Sequence, residues 1–165
     1  MHLYVLRHAI AEPHGTPGFA DEDRPLTSEG RRKMKAIARG MQAMGLEFDR
    51  LISSPYPRAR QTAEIVSAAF SLDIDIWDSL KPDIRPQQTV AALARAPEER
   101  VLIVGHQPHL GALVSLLIAG DPGAGIELKK GGLCKLTMDA VRSGRSATLE
   151  WLMTPSLLRQ IGRRR

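Results

Sequence analysis

The sequence predicts an α/β fold built on a mixed, mostly parallel sheet with helices on both faces. Two runs, Leu3-Tyr4-Val5-Leu6 and Val101-Leu102-Ile103-Val104, are continuously apolar and rich in strand formers, the pattern of strands buried in a parallel sheet. Segments of helical period alternate with the strand-like runs over most of the chain. The last part then changes character: Leu133 to Asp139 and Ala147 to Met153 read as a hairpin around Ser143-Gly144.

The totals place the chain among ordinary globular proteins. Its 165 residues, 43% hydrophobic and 25% charged, suit one domain over 1–165 with a real core. No apolar run is long enough to cross a bilayer, and the N-terminal run is too short and too quickly charged for a signal peptide. A single cysteine, Cys134, excludes an internal disulfide and fits the cytoplasm. The net charge of +5 raises the question of nucleic acid, but Arg163, Arg164 and Arg165 supply three of those charges. Aromatic residues make up only 4%, and no stretch interleaves them with basic residues. A solvated basic tail from about residue 159 explains the charge better, so neither nucleic acid nor a membrane is an expected partner.

Taken in order, the first strand ends in Arg7-His8, with small Ala9 after it. Glu12 to Pro25 is a long polar loop carrying Asp21-Glu22-Asp23; loops of this length tend to be functional or mobile, though a solvated charge run is an equal reading. Thr27 or Ser28 can cap the next helix, with Glu29 in the first turn, Met34, Ile37, Ala38 and Met41 facing the core, and Gly45 at the end. Asp49 to Ser53 is a second strand. Pro57 suits a first helical turn, and Arg58 to Phe70 has the helical pattern, which puts Arg58 at a helix start just past a strand. Asp73 to Trp77 is a third strand and Gln87 to Arg95 a helix. The strand Val101–Gly105 stops at His106, and a further helix runs to about Ile118. Asp121 to Gly132 is a Gly-rich loop, and Thr154-Pro155 opens a short terminal helix after the hairpin.

These placements bring Arg7, His8, Arg58 and His106 to one edge, because ligands of open parallel sheets bind at the carboxyl ends of the strands. Two guanidiniums can share the oxygens of a phosphoryl group, with backbone N–H groups of the helix start behind them. His8 is then free to attack phosphorus in line, and His106 to hydrogen-bond the equatorial oxygens. Such a site works by position and charge, and the chain offers no metal-binding motif of the usual spacing; Asp21 and Asp23 have no evident magnesium-site partners. Arg24 either pairs with the loop acids or frames the pocket. His109 reads as a cap or surface residue, His2 and His14 as incidental, Cys134 as packing, and Gln61 and Thr62 as core and helix-surface residues.

The residues Leu6-Arg7-His8, Arg24-Pro25-Leu26-Thr27, the block from Ser53 to Ala63 (SSPYPRARQTA) and Gly105-His106-Gln107-Pro108 resemble the histidine phosphatase superfamily. Leu110 to Val114, Trp151 to Pro155 and the overall length look like its short SixA-type phosphohistidine phosphatases. The resemblance covers nearly the whole chain and implies a single-domain, three-layer fold like that of phosphoglycerate mutase, with no metal and no cofactor. It implies His8 as phospho-accepting nucleophile, with Arg7, Arg58 and His106 completing the phosphate pocket; from the residues alone, Arg24, Asp21 and Asp23 are secondary candidates. Many relatives have Gly where this chain has Ala9, a difference that matters only if the position needs positive φ. Larger members place a Glu general acid after the third strand; here Trp77 to Pro82 carries none. An imidazole leaves far more easily than an alkoxide, so a site without that acid suits phosphohistidine. The expected substrate is a phosphorylated protein, such as a histidine-phosphotransfer domain of a signalling relay. Small phosphate esters, or phosphoprotein binding without catalysis, are the alternatives.

Overall fold

The computed structural model describes residues 1–163. Arg164 and Arg165, the end of the expected basic tail, lie outside the described residues. Six strands form one sheet: β1 (His2–Arg7), β2 (Arg50–Ser53), β3 (Ile74–Ile76), β4 (Arg100–Gly105), β5 (Leu133–Thr137) and β6 (Thr148–Met153). Their order is β3-β2-β4-β1-β5-β6. The first four run parallel, and β5 and β6 close the other edge antiparallel.

Five helices cover both faces: α1 (Ser28–Ala43), α2 (Pro57–Phe70), α3 (Pro86–Leu93), α4 (His109–Ala119) and α5 (Pro155–Ile161). Alternation along β1 sorts the core into two. Leu3 and Val5 pack with Val90 and Leu93 of α3 and with Leu110, Leu113 and Leu117 of α4. Tyr4 and Leu6 pack on the other face with Met34, Ile37 and Met41 of α1, with Ala59, Ala63 and Val66 of α2, and with Leu158 of α5. No helix is long and apolar enough to cross a membrane.

The elements agree with the expected order, and the differences sit at their ends. Helix α3 stops at Leu93 rather than Arg95, because Pro97 follows and Ala94 N–H closes the last turn on the Val90 carbonyl. Thr27 is the cap of α1, its hydroxyl accepting from Gly30 N–H at 2.9 Å. Arg159, expected in the basic tail, belongs to the last turn of α5. Within the loop before α1, Asp21–Asp23 forms a 3-10 turn.

Register decides what reaches the carboxyl edge. Arg7 pairs with Gly105 and Ser53 with Val104, so Arg7-His8, Ser54 and His106 leave three adjacent strands at one level. His8 N–H then donates to the Gly105 carbonyl at 2.9 Å and Ser54 N–H to that of Val104 at 3.0 Å. Gly131, at φ +79°, donates its N–H to the carbonyls of both Arg7 and His8 at 3.1 Å, so the Gly-rich loop ties down the end of β1. Gly30 lets α1 approach closely: a Cβ there would stand 2.0 Å from the Ile10 carbonyl oxygen. Ala9 needs no such freedom, since Ser71 is the only non-glycine residue at positive φ among those described.

Candidate active site

The structure brings Arg7, His8, Arg58 and His106 together. The rings of His8 and His106 lie 5.2 Å apart, centroid to centroid, and His8, Arg58 and His106 are all buried. His8 Nδ1 is 2.7 Å from the Ala9 carbonyl. A carbonyl only accepts, so Nδ1 carries the proton and Nε2 keeps the lone pair. His106 is fixed the opposite way. Its Nε2 lies 2.7 Å from Ser54 Oγ; the buried serine hydroxyl has no other acceptor among the described residues, so its proton points at Nε2 and the ring proton sits on Nδ1. Three buried donors then have no partner among the described residues: Arg7 Nε, Arg58 Nε and His106 Nδ1. Unpartnered polar groups in a core are few, and three in one cluster mark a place for an acceptor.

The other guanidinium contacts set orientation. Arg7 Nη1 donates to the Leu128 carbonyl at 2.8 Å, and Arg58 Nη1 to that of Asp21 at 2.7 Å. Asp21 Oδ2 lies 3.6 Å from Arg58 Nη2, while its Oδ1 accepts from Arg24 Nε at 2.9 Å and meets His14 Nδ1 at 2.8 Å. Arg24 also donates to the Glu12 carbonyl, so it both pairs with a loop acid and frames the site. Asp23 is exposed and its side chain has no hydrogen bond or ion pair among the described residues; it does not join the cluster.

Burial keeps both histidines neutral. Desolvation pushes His8 down to about 3, with Arg58 and Arg7 adding to it against the bond to Ala9. Desolvation, then His8 and Arg58, push His106 down to about 2. The hydrogen bond from His14, then Arg24 and Arg58, hold the exposed Asp21 carboxyl below its ordinary range against a little desolvation. For stability the sign follows from proton uptake. The unfolded chain protonates these histidines near pH 6.5 and the folded one only near 3 or below, so stability falls as pH drops through that window. Between pH 6.5 and 5 each histidine is expected to cost about 2 kcal/mol. Urea midpoints measured across that range should fall more steeply for the native chain than for a His8→Gln/His106→Gln variant; equal slopes would contradict neutral burial.

Several members were not foreseen as part of the site. Ser54 and Tyr56 lie inside the recognised block without an assigned role. Lys130 is a fourth cation beside the site, its ammonium lowered by desolvation and by Arg7, Arg24 and Arg58. Thr62, read as a core or helix-surface residue, is a fully buried tie: its hydroxyl accepts from Ala9 N–H at 3.0 Å and donates to the Arg58 carbonyl at 2.7 Å. Gln61 Oε1 accepts from Leu26 N–H at 2.8 Å. Thr62→Val should cost about 1–3 kcal/mol in denaturant unfolding, because it leaves Ala9 N–H buried without a partner. His109 is neither a cap nor at the surface. It is buried, with Nδ1 donating to the Ile84 carbonyl at 2.8 Å and Nε2 3.0 Å from Thr89 Oγ1, and joins α4 to α3. Cys134 is buried in β5 and its thiol is pushed up to about 12, away from any nucleophile's range. Among the described residues no group of three or more His, Cys, Asp or Glu is placed to hold a metal ion.

The chain is similar to known proteins. The model of the histidine phosphatase superfamily (branch 1) matches residues 3–82, which include Arg7, His8 and Arg58. An uncharacterized protein of Picosynechococcus sp. is 38% identical over 86% of this chain and 88% of its own length. Phosphohistidine phosphatase SixA of Escherichia coli is 26% identical over 96% of this chain and 97% of its own. The solved structure of the protein histidine phosphatase SixA complexed with tungstate superposes with a TM-score of 0.82 at 28% identity, covering 96% of this chain and 99% of that one. The chain belongs to the histidine phosphatase superfamily and is a phosphatase. Within that class it has the short, single-domain SixA-type build.

Proposed function

We propose that the chain is a phosphohistidine phosphatase of the cytoplasm, removing phosphoryl groups from a phosphorylated protein through a phosphohistidine intermediate on His8. The observation that carries this reading is the pairing of a neutral His8 with unpartnered buried donors on Arg7, Arg58 and His106. In the first step the His8 Nε2 lone pair forms a bond to phosphorus while the bond from phosphorus to the substrate's imidazole nitrogen breaks. The substrate imidazole leaves neutral when its other nitrogen is protonated, so no enzyme acid is required. Arg7, Arg58 and His106 hold the three equatorial oxygens as charge shifts through the transition state. Water then attacks phosphorus on the other side, its protons go to phosphate and solvent, and His8 is restored.

The choice of phosphohistidine over an alkyl ester is supported by the loop acids. Asp21, the carboxylate that reaches Arg58, is held ionised by His14, Arg24 and Arg58 and has no proton to give. Asp78, just after β3, is paired with Lys81 at 2.7 Å. The name of the Escherichia coli relative points the same way, and the tungstate in the solved SixA structure, a tetrahedral oxyanion, fits a site for a phosphoryl group of either kind. A histidine-phosphotransfer domain of a signalling relay is the fitting substrate.

A panel of phosphohistidine peptide, phosphoserine peptide and sugar phosphates tests the reading. Phosphohistidine should be cleaved at least about 10²-fold more efficiently than the alkyl esters, the scale of a missing general acid. Equal or greater activity on a sugar phosphate would instead make the chain an ester phosphatase, and tight binding without turnover a binding module.

A further inference from the structure

Tyr56, the residue before α2, touches two members of the cluster at once. Its ring meets that of His106 edge to face, 5.2 Å between centroids and at 61°. The Arg58 guanidinium carbon stands over the same ring, 5.1 Å from its centroid. His8, Arg58 and His106 are 5% exposed or less, whereas Tyr56 is half-buried, so it joins the buried cluster to the surface. Burial, then Asp83 and Glu22, push the pKa of its hydroxyl up.

In-line attack settles where the leaving group must be. His8 approaches phosphorus from inside, so the bond that breaks points outward, towards the protein still attached to it. We infer that Tyr56 walls the leaving-group subsite and selects a planar aromatic ring, packing against the substrate's imidazole as phosphorus is transferred. This rests on the phosphohistidine reading and adds a specificity-determining residue to it. A ring held by a ring gains both apolar burial and the directional attraction of aromatic pairs. A leaving group without a ring gains neither.

Two substrates with the same kind of bond to phosphorus isolate the effect: phosphoimidazole, which carries the ring, and phosphoramidate, which does not. Tyr56→Phe should keep the native ratio of kcat/KM between them. Tyr56→Leu retains apolar bulk beside His106 and Arg58, and should lower that ratio about 10-fold, mostly through KM for phosphoimidazole, while activity on phosphoramidate changes less than about 3-fold. Equal losses on both compounds would make Tyr56 a support of the pocket only and overturn the inference, as would an unchanged ratio. Native enzyme inactive on both compounds would overturn the phosphohistidine reading first and this inference with it, an outcome distinct from an unchanged ratio in active enzyme.

Discussion

His8→Ala is expected to remove turnover, by roughly 10⁴-fold or more, together with the phosphoenzyme. Both losses have one cause. The lone pair on His8 Nε2 is made available by the Nδ1 bond to the Ala9 carbonyl and by burial that keeps the ring unprotonated. His109 shares the carbonyl bond and the burial, but its Nε2 is engaged by Thr89 Oγ1 between α3 and α4. His106 is buried and neutral too, but its Nε2 faces Ser54 and its Nδ1 carries the proton. In the proposed mechanism the second histidine therefore donates where the first attacks. His106→Ala should slow the reaction without moving the phosphoryl group to another residue.

The second large effect is expected at the arginines. Arg58→Ala and Arg7→Ala should each lower kcat/KM by about 10²-fold or more, since each removes a charged donor from a water-poor site. Lysine at either place should restore only part of the loss, because an ammonium cannot present the planar fork. Kinetics on one phosphohistidine substrate would show this. The double variant is expected to fall short of the product of the single losses, because the two side chains serve one phosphoryl group. Small and independent effects would mean that they do not share it. Backbone carbonyls aim both forks: Arg58 Nη1 is held by that of Asp21 and Arg7 Nη1 by that of Leu128, with the Asp21 carboxylate 3.6 Å from Arg58 Nη2 as well.

Much of this site was legible because it sits where periodicity changes. The apolar runs of β1 and β4 end abruptly at His8 and His106, and Pro57 marks the start of α2 beside Arg58; each is a local signal. The parallel order then follows from alternating strands and helices, and it carries the strand ends to one edge. What could not be read depends on contacts distant in sequence. Thr62 looks like any helical threonine until the Ala9 N–H arrives from 53 residues away. Ser54 and Tyr56 gain their parts only when β2 and β4 lie side by side, which brings His106 to them. Lys130 belongs to a Gly-rich loop without periodicity, and reaches the site because Gly131 bonds to the end of β1. His109 was misplaced for the same reason: its partners, Ile84 and Thr89, come from the segment that packs over α4. The acids of the first loop split for a physical reason as well, since only Asp21 of the 3-10 turn points at Arg58 and Arg24.

The central claim is that His8 carries the phosphoryl group, and trapping it tests that claim most directly. Enzyme mixed with phosphohistidine protein labelled in its phosphoryl group, then quenched in alkali within one turnover, should hold the label on the peptide containing His8. That label should be lost in acid, as a phosphorus–nitrogen bond is, and should be absent from the His8→Ala variant. Label recovered on His106, on a serine or on any residue other than His8 would contradict the account.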